Sequence, residues 1–79
     1  MITCGVAKVG FALDQLLNLL HRHVTGDFGE VDDDDFQENM LSIREGFRIM
    51  SAYTIHDTKL WVITEADRRS TTILLPEEY

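Results

Sequence analysis

FRIMSAYTIHDTKLWVITEADRRSTTILL, residues 47–75, holds three runs of β-branched and aromatic residues separated by two polar breaks. The runs cover residues 47–55, 60–64 and 71–75, and the breaks are His56-Asp57-Thr58-Lys59 and residues 65–70. Val, Ile, Thr, Tyr, Phe and Trp suit a pleated, half-buried surface, whereas the breaks are turn chemistry, so the segment predicts a three-stranded antiparallel meander. Leu60-Trp61-Val62-Ile63 is apolar at consecutive positions, as expected of a central strand covered on both faces. Helices account for one covering; a subunit partner is the candidate for the other. Pro76 has no N–H to give a ladder, so it ends the last strand and leaves Glu77-Glu78-Tyr79 as a tail.

Toward the N-terminus, Phe11, Leu13, Leu16, Leu17, Leu20 and Val24 recur at three- and four-residue spacing, which predicts one apolar stripe of an α-helix over residues 11–24. Gly26 follows where a left-handed residue closes a helix, and Arg22 and His23 lie in the last turn, where positive charge suits the dipole. Asp27-Phe28-Gly29-Glu30 reads as a compact turn. Asp32 is a natural N-cap, with Asp33, Asp34 and Asp35 in the first turn of a second helix. Phe36, Met40, Ile43 and Phe47 repeat at four, three and four residues, so that helix reaches Glu45 and stops at Gly46. Residues 2–9 place Ile2, Thr3, Val6 and Val9 around Gly5, which leaves room for a short N-terminal edge strand. The expected fold class is α+β: two helices followed by a three-stranded antiparallel β-meander.

The chain has 79 residues, a net charge of −7, 44% hydrophobic residues and one cysteine, Cys4. A chain of this length buries only roughly 60 to 65% of the surface its unfolded form exposes, so residues 1–79 are expected to form a single domain. The periodic apolar segments argue against disorder. One thiol supplies neither a disulfide framework nor a cysteine zinc site to staple so small a scaffold, and a homodimer is the expected remedy. A lone thiol fits a reducing compartment, and the apolar runs fall far short of the roughly 18 residues of a membrane span. Residues 1–8 lack the pattern of a secretory signal, which makes the cytoplasm the expected location. The Lys and Arg residues are scattered without a patch, against direct binding of nucleic acid or of an anionic membrane. A charged partner would be basic.

Half of the fourteen carboxylates lie between Asp27 and Glu38, namely Asp27, Glu30, Asp32, Asp33, Asp34, Asp35 and Glu38, with no Lys or Arg among them. A cap and one or two first-turn acids stabilise a helix start by about 0.3 to 1 kcal/mol each at low salt. Adjacent aspartates beyond that number repel one another, so the excess serves solubility or a negative binding surface. The partner-binding candidates are therefore Glu30, Asp33, Asp34, Asp35 and Glu38. An EF-hand is excluded by spacing, since no glycine and no closing glutamate fall at the required positions. No cofactor motif is present, and no residue is assigned a catalytic or metal-binding role. The alternative chemistry is a metal-dependent hydrolase using His23, Asp27 and Glu65, with Ser51 as a conceivable nucleophile, although His21 and His23 diverge by ~200° on a helix and no nucleophile-elbow pattern backs it. A third option is an accessory dimerisation module pairing through the face around Trp61.

RHVTGDFG at residues 22–29, LWVITEADR at 60–68 and TTILLPEEY at 71–79 resemble a family of small bacterial proteins carried by plasmids, phages and other mobile elements. Members of that family show a similar Arg-His, Gly-Asp-Trp-Gly, Ser-Ala-Tyr and Leu-Trp-Val-Ile-Thr-Glu pattern. The likeness extends over residues 22–79 and departs at Phe28, where the family usually has tryptophan. The resemblance implies a mobile-element setting in a bacterial host and no particular reaction. Small acidic proteins of such elements commonly inhibit host defence by occupying sites evolved for a phosphate backbone. The functional expectation is therefore an interaction protein of the DNA-mimic type, an anti-CRISPR or anti-restriction inhibitor acting on a basic host protein or nucleoprotein complex.

Overall fold

The computed structural model describes residues 2–79. Three helices, α1 (Cys4–Val9), α2 (Leu13–Val24) and α3 (Asp33–Glu45), precede three strands, β1 (Ile49–Ile55), β2 (Thr58–Thr64) and β3 (Thr71–Leu74), and a 3-10 turn spans Pro76–Glu78. The sheet is antiparallel throughout in the order β1-β2-β3, so the run containing Trp61 is the central strand. The α+β class and the meander are as the sequence predicts.

The N-terminal segment is different. Instead of an edge strand, residues 4–9 are helical, because the Thr3 hydroxyl accepts from the Val6 N–H at 3.4 Å and Gly10 closes the turn in the left-handed region. Only Val6 of this helix is buried, one inward position per turn rather than the alternation a strand would need. Ile2 alone joins the sheet, as a single parallel bridge to Ile73.

The β1–β2 hairpin closes tighter than the polar break predicts. His56 (φ 50°) and Asp57 (φ 63°) form a two-residue turn with Ile55 paired to Thr58, so β2 starts at Thr58 rather than at Leu60. Two positive φ angles match the twist of the flanking strands, and Asp and His tolerate that region better than branched residues.

One face of the sheet carries Ser51, Tyr53, Leu60, Val62 and Ile73, which register pairing places side by side. These meet Val6, Leu16 and Leu19 in the core. The inward line of α2 is Leu16, Leu19 and His23, at three- and four-residue spacing. Of the stripe predicted from the sequence, Leu16 is in the core and Phe11 and Leu20 pack against it, whereas Leu13, Leu17 and Val24 are 69%, 55% and 74% exposed. α2 carries two apolar stripes, and the core takes the one that ends in a histidine because the sheet offers that imidazole two hydroxyls.

The opposite face of the sheet is covered in part by the C-terminal residues, which fold back rather than trail. Tyr79 meets the Trp61 ring edge-on at 5.6 Å, and Arg48 donates to the Tyr79 hydroxyl at 2.7 Å. Glu78 ties the two ends of the chain together, accepting from the Thr3 hydroxyl at 2.5 Å and from the N–H groups of Gly5 and Leu75. Those donors hold the Glu78 carboxyl below its ordinary range, the Thr3 hydroxyl foremost.

Candidate functional site

α3 carries the five candidate carboxylates or lies next to them. Asp32 caps it, accepting from the Asp35 N–H at 2.8 Å, and Asp33, Asp34 and Asp35 fill the first turn. At the other end Gly46 adopts the left-handed conformation, and the N–H groups of Gly46 and Phe47 both donate to the Ser42 carbonyl. Both boundaries are as the sequence predicts.

How α3 attaches is not. Its only buried residues are Asn39 and Ser42, while Phe36, Met40, Leu41 and Ile43 are exposed. Asn39 docks the helix on the free edge of β1: its Oδ1 accepts from the Met50 N–H at 3.1 Å and its Nδ2 donates to the Met50 carbonyl at 2.7 Å. At the C-terminal end the Arg68 guanidinium donates to the carbonyls of Ser42, at 2.9 Å, and Phe47, at 2.6 Å. Near the N-terminal end Phe36 rests edge-on against the buried Phe28 at 5.7 Å. Further along the edge of β1, Ala52 donates to the Phe28 carbonyl at 3.1 Å and accepts from the Glu30 N–H at 2.7 Å. The edge is thereby satisfied by a loop and by one asparagine, which closes it to strand addition at these positions.

This docking makes a direct prediction. Replacing Asn39 by alanine removes both bonds to Met50 and is expected to cost about 1 to 3 kcal/mol. Hydrogen exchange at the Met50 amide should accelerate in that variant, and an unchanged rate there would contradict the docking role.

Glu30, Asp33, Asp34, Asp35 and Glu38 are all exposed. The ion pairs formed among the described residues are Arg22–Asp27, Arg44–Glu45 and Arg48–Glu65, so none of the five is neutralised by a close base. Asp35 and Glu38 also border a groove of about 400 Å³ between α3 and β1, whose walls include Leu41, Phe47 and Met50 together with Arg48, whose charge is paired with Glu65. An acidic rim over an apolar wall suits the aliphatic stem and charged head of an incoming Lys or Arg.

The hydrolase set is dispersed. His23 is 4% exposed, with Nδ1 2.5 Å from the Ser51 hydroxyl and Nε2 2.8 Å from that of Thr64. The place of His23 near the helix end predicts a bond to the Gly26-Asp27 turn; the imidazole bonds to these two strand hydroxyls instead. Asp27 instead holds Arg22 at 2.8 Å and the Gly29 N–H, which keeps its carboxyl below the usual range, the Arg22 bond first. Glu65 pairs with Arg48 at 3.1 Å. No group of three or more His, Cys, Asp or Glu side chains placed to hold a metal occurs among the described residues. The Ser51–His23 contact has the composition of a nucleophile and base, yet Ser51 is fully buried, so its Oγ meets no substrate in this conformation.

Asn39, Ser42 and Arg68 escaped the sequence reading as structural anchors, and His23, expected to bond the turn after its helix, anchors to the sheet instead. The signal was present in the helical spacing: Leu16-Leu19-His23 continues an inward line, and Asn39-Ser42 forms a polar one. Apolarity pointed to the neighbouring stripes.

The geometry is that of a small α+β scaffold displaying a charged helix. Compared with protein-family models, curated proteins and solved structures, the chain matches none of them. No helix among the described residues is long and apolar enough to cross a membrane.

Proposed function

We propose that this protein is an acidic binding module that occupies a basic surface built to hold a nucleic-acid backbone. One observation carries the reading: Glu30, Asp33, Asp34, Asp35 and Glu38 are displayed to solvent at and beside the start of α3, and none has an ion-pair partner among the described residues. Folding accounts for Asp32 as the cap and for Asp27 through Arg22. It does not require the remaining five. The groove bordered by Asp35 and Glu38 supports the same reading, because it adds an apolar wall for the stem of a partner's Lys or Arg. The mobile-element setting implied by the sequence resemblance makes the target a nucleic-acid-handling complex of host defence, blocked in the manner of an anti-CRISPR or anti-restriction inhibitor.

Capture from a bacterial lysate tests this. Wild-type protein should retain a nucleic-acid-binding protein that is released as ionic strength rises. The variant E30Q/D33N/D34N/D35N/E38Q, which keeps the Asp32 cap, should bind the same protein at least about tenfold more weakly at low salt. Equal retention by both, at equal melting temperature, would sink the proposal.

A further inference from the structure

We propose that the protein pairs with a second copy of itself through α3, the two helices running antiparallel about a twofold axis near residue 39. α3 turns polar residues inward and leaves Phe36, Met40 and Ile43 on an outer stripe at four- and three-residue spacing, with Ile43 51% exposed. Phe36 places one edge on Phe28 within the monomer, whereas Met40 and the outer half of Ile43 remain uncovered. The stripe does not end with the helix: Ile43 and Val24 line the same hollow of about 260 Å³, so the apolar surface continues onto the exposed end of α2.

The charges beside the stripe identify the occupant. Asp33 and Arg44 are eleven residues apart, about three helical turns, and so lie on the same flank. Asp33 has no ion-pair partner among the described residues, and Arg44 meets only its exposed neighbour Glu45, at 3.4 Å. A twofold interface requires a patch complementary to itself. Reversing the helix about a point between residues 39 and 40 brings Phe36 of one copy level with Ile43 of the other, sets the two Met40 side chains about one residue apart across the axis, and leaves Asp33 within about two residues, roughly 3 Å along the axis, of the other copy's Arg44. The helix dipoles then oppose, and the acidic start of each α3 lies beside the basic end of its mate. A foreign basic helix would meet Arg44 as a like charge. Asp34, Asp35 and Glu38 lie on other sides of α3 and, with Glu30, stay free, so in the dimer these four carry the proposed acidic binding surface while Asp33 serves the interface.

Sedimentation equilibrium of the full chain, from about 1 μM to about 1 mM, reads the association directly. The mass should rise from the monomer value of 9.1 kDa toward twice that figure. Ile43→Glu should remain monomeric throughout while melting as the wild type does, since Ile43 is half exposed. D33R and R44D should each weaken association about tenfold, because each turns two attractive pairs into two repulsive ones, and the double variant D33R/R44D should recover it. A wild-type mass that stays at the monomer value, a dimer indifferent to Ile43→Glu, or a double swap no better than the single ones would each overturn the proposal; the first would leave the stripe to a different protein.

Discussion

Replacing Gly29 by alanine is expected to destabilise the protein by roughly 3 kcal/mol or more, lowering the melting temperature by about 15 °C. Gly29 sits at φ 73°, and a Cβ built there would lie 2.1 Å from the Ala52 carbonyl oxygen and 2.6 Å from the Tyr53 ring. The left-handed conformation alone costs an alanine about 1 to 2 kcal/mol. The contact adds more, because the obstacle is strand backbone and not the mobile end of a side chain. Relieving it means parting Gly29 from β1, which breaks the Phe28–Ala52 and Glu30–Ala52 hydrogen bonds and withdraws Phe28 from its buried place beside His23 and Phe36. Gly26→Ala is the control. Gly26 has φ 89° and open space around a Cβ, so that variant meets the conformational cost without the collision. If the two variants melt together, the close approach of Gly29 to β1 is wrong.

Removal of the His23 imidazole is the second large effect. His23→Ala is expected to cost about 3 to 4 kcal/mol, combining a cavity with loss of the imidazole bonds to Thr64 and to the buried Ser51 hydroxyl, which then keeps only Tyr53. His23→Phe fills the space, and Ser51 and Thr64 keep the Tyr53 hydroxyl and Thr71 as partners, so this variant should cost less than His23→Ala.

The same residue sets a pH dependence. Burial disfavours the imidazolium and holds His23 below the ordinary 6.5, so the unfolded chain takes up the proton first. This contribution is fully present above 6.5 and is lost as the pH falls from there through the lower folded value. Asp27 and Glu78, both held below the ordinary carboxyl range, shift stability in the same direction but at lower pH. Chemical denaturation between about pH 5 and 7 isolates the histidine: wild type should lose stability on acidification, and His23→Phe should lose less. Identical slopes would place His23 in solvent.

The strands and helix ends could be read from the chain because their causes are local. β-branched runs between polar breaks set the meander, and Asp32 and Gly46 set the ends of α3 through their own side chain and backbone; Thr3 and Gly10 do the same for α1, but their signal lay under the β-branched residues that suggested an edge strand. Which side of each helix turns inward is a non-local question. α2 offers two apolar stripes of similar quality, and only the hydroxyls of Ser51 and Thr64, 28 and 41 residues away, favour the one ending in His23. α3 is a stronger case, since its apolar residues are displayed and a single asparagine docks it on β1. The pairing of Gly29 with Ala52 was equally hidden, because a turn pattern does not announce which strand it will border. The five carboxylates were visible as charge, and their exposure follows from the same charge.

The central claim is that those carboxylates occupy a surface made for nucleic acid. Fluorescence anisotropy of a labelled DNA or RNA duplex on the captured partner measures it most directly. Wild-type protein should displace the duplex and lower the anisotropy, with a potency that falls as salt rises, and E30Q/D33N/D34N/D35N/E38Q should displace it at least about tenfold less well at equal fold stability. Simultaneous binding of protein and duplex, or equal displacement by the neutralised variant, would contradict the account.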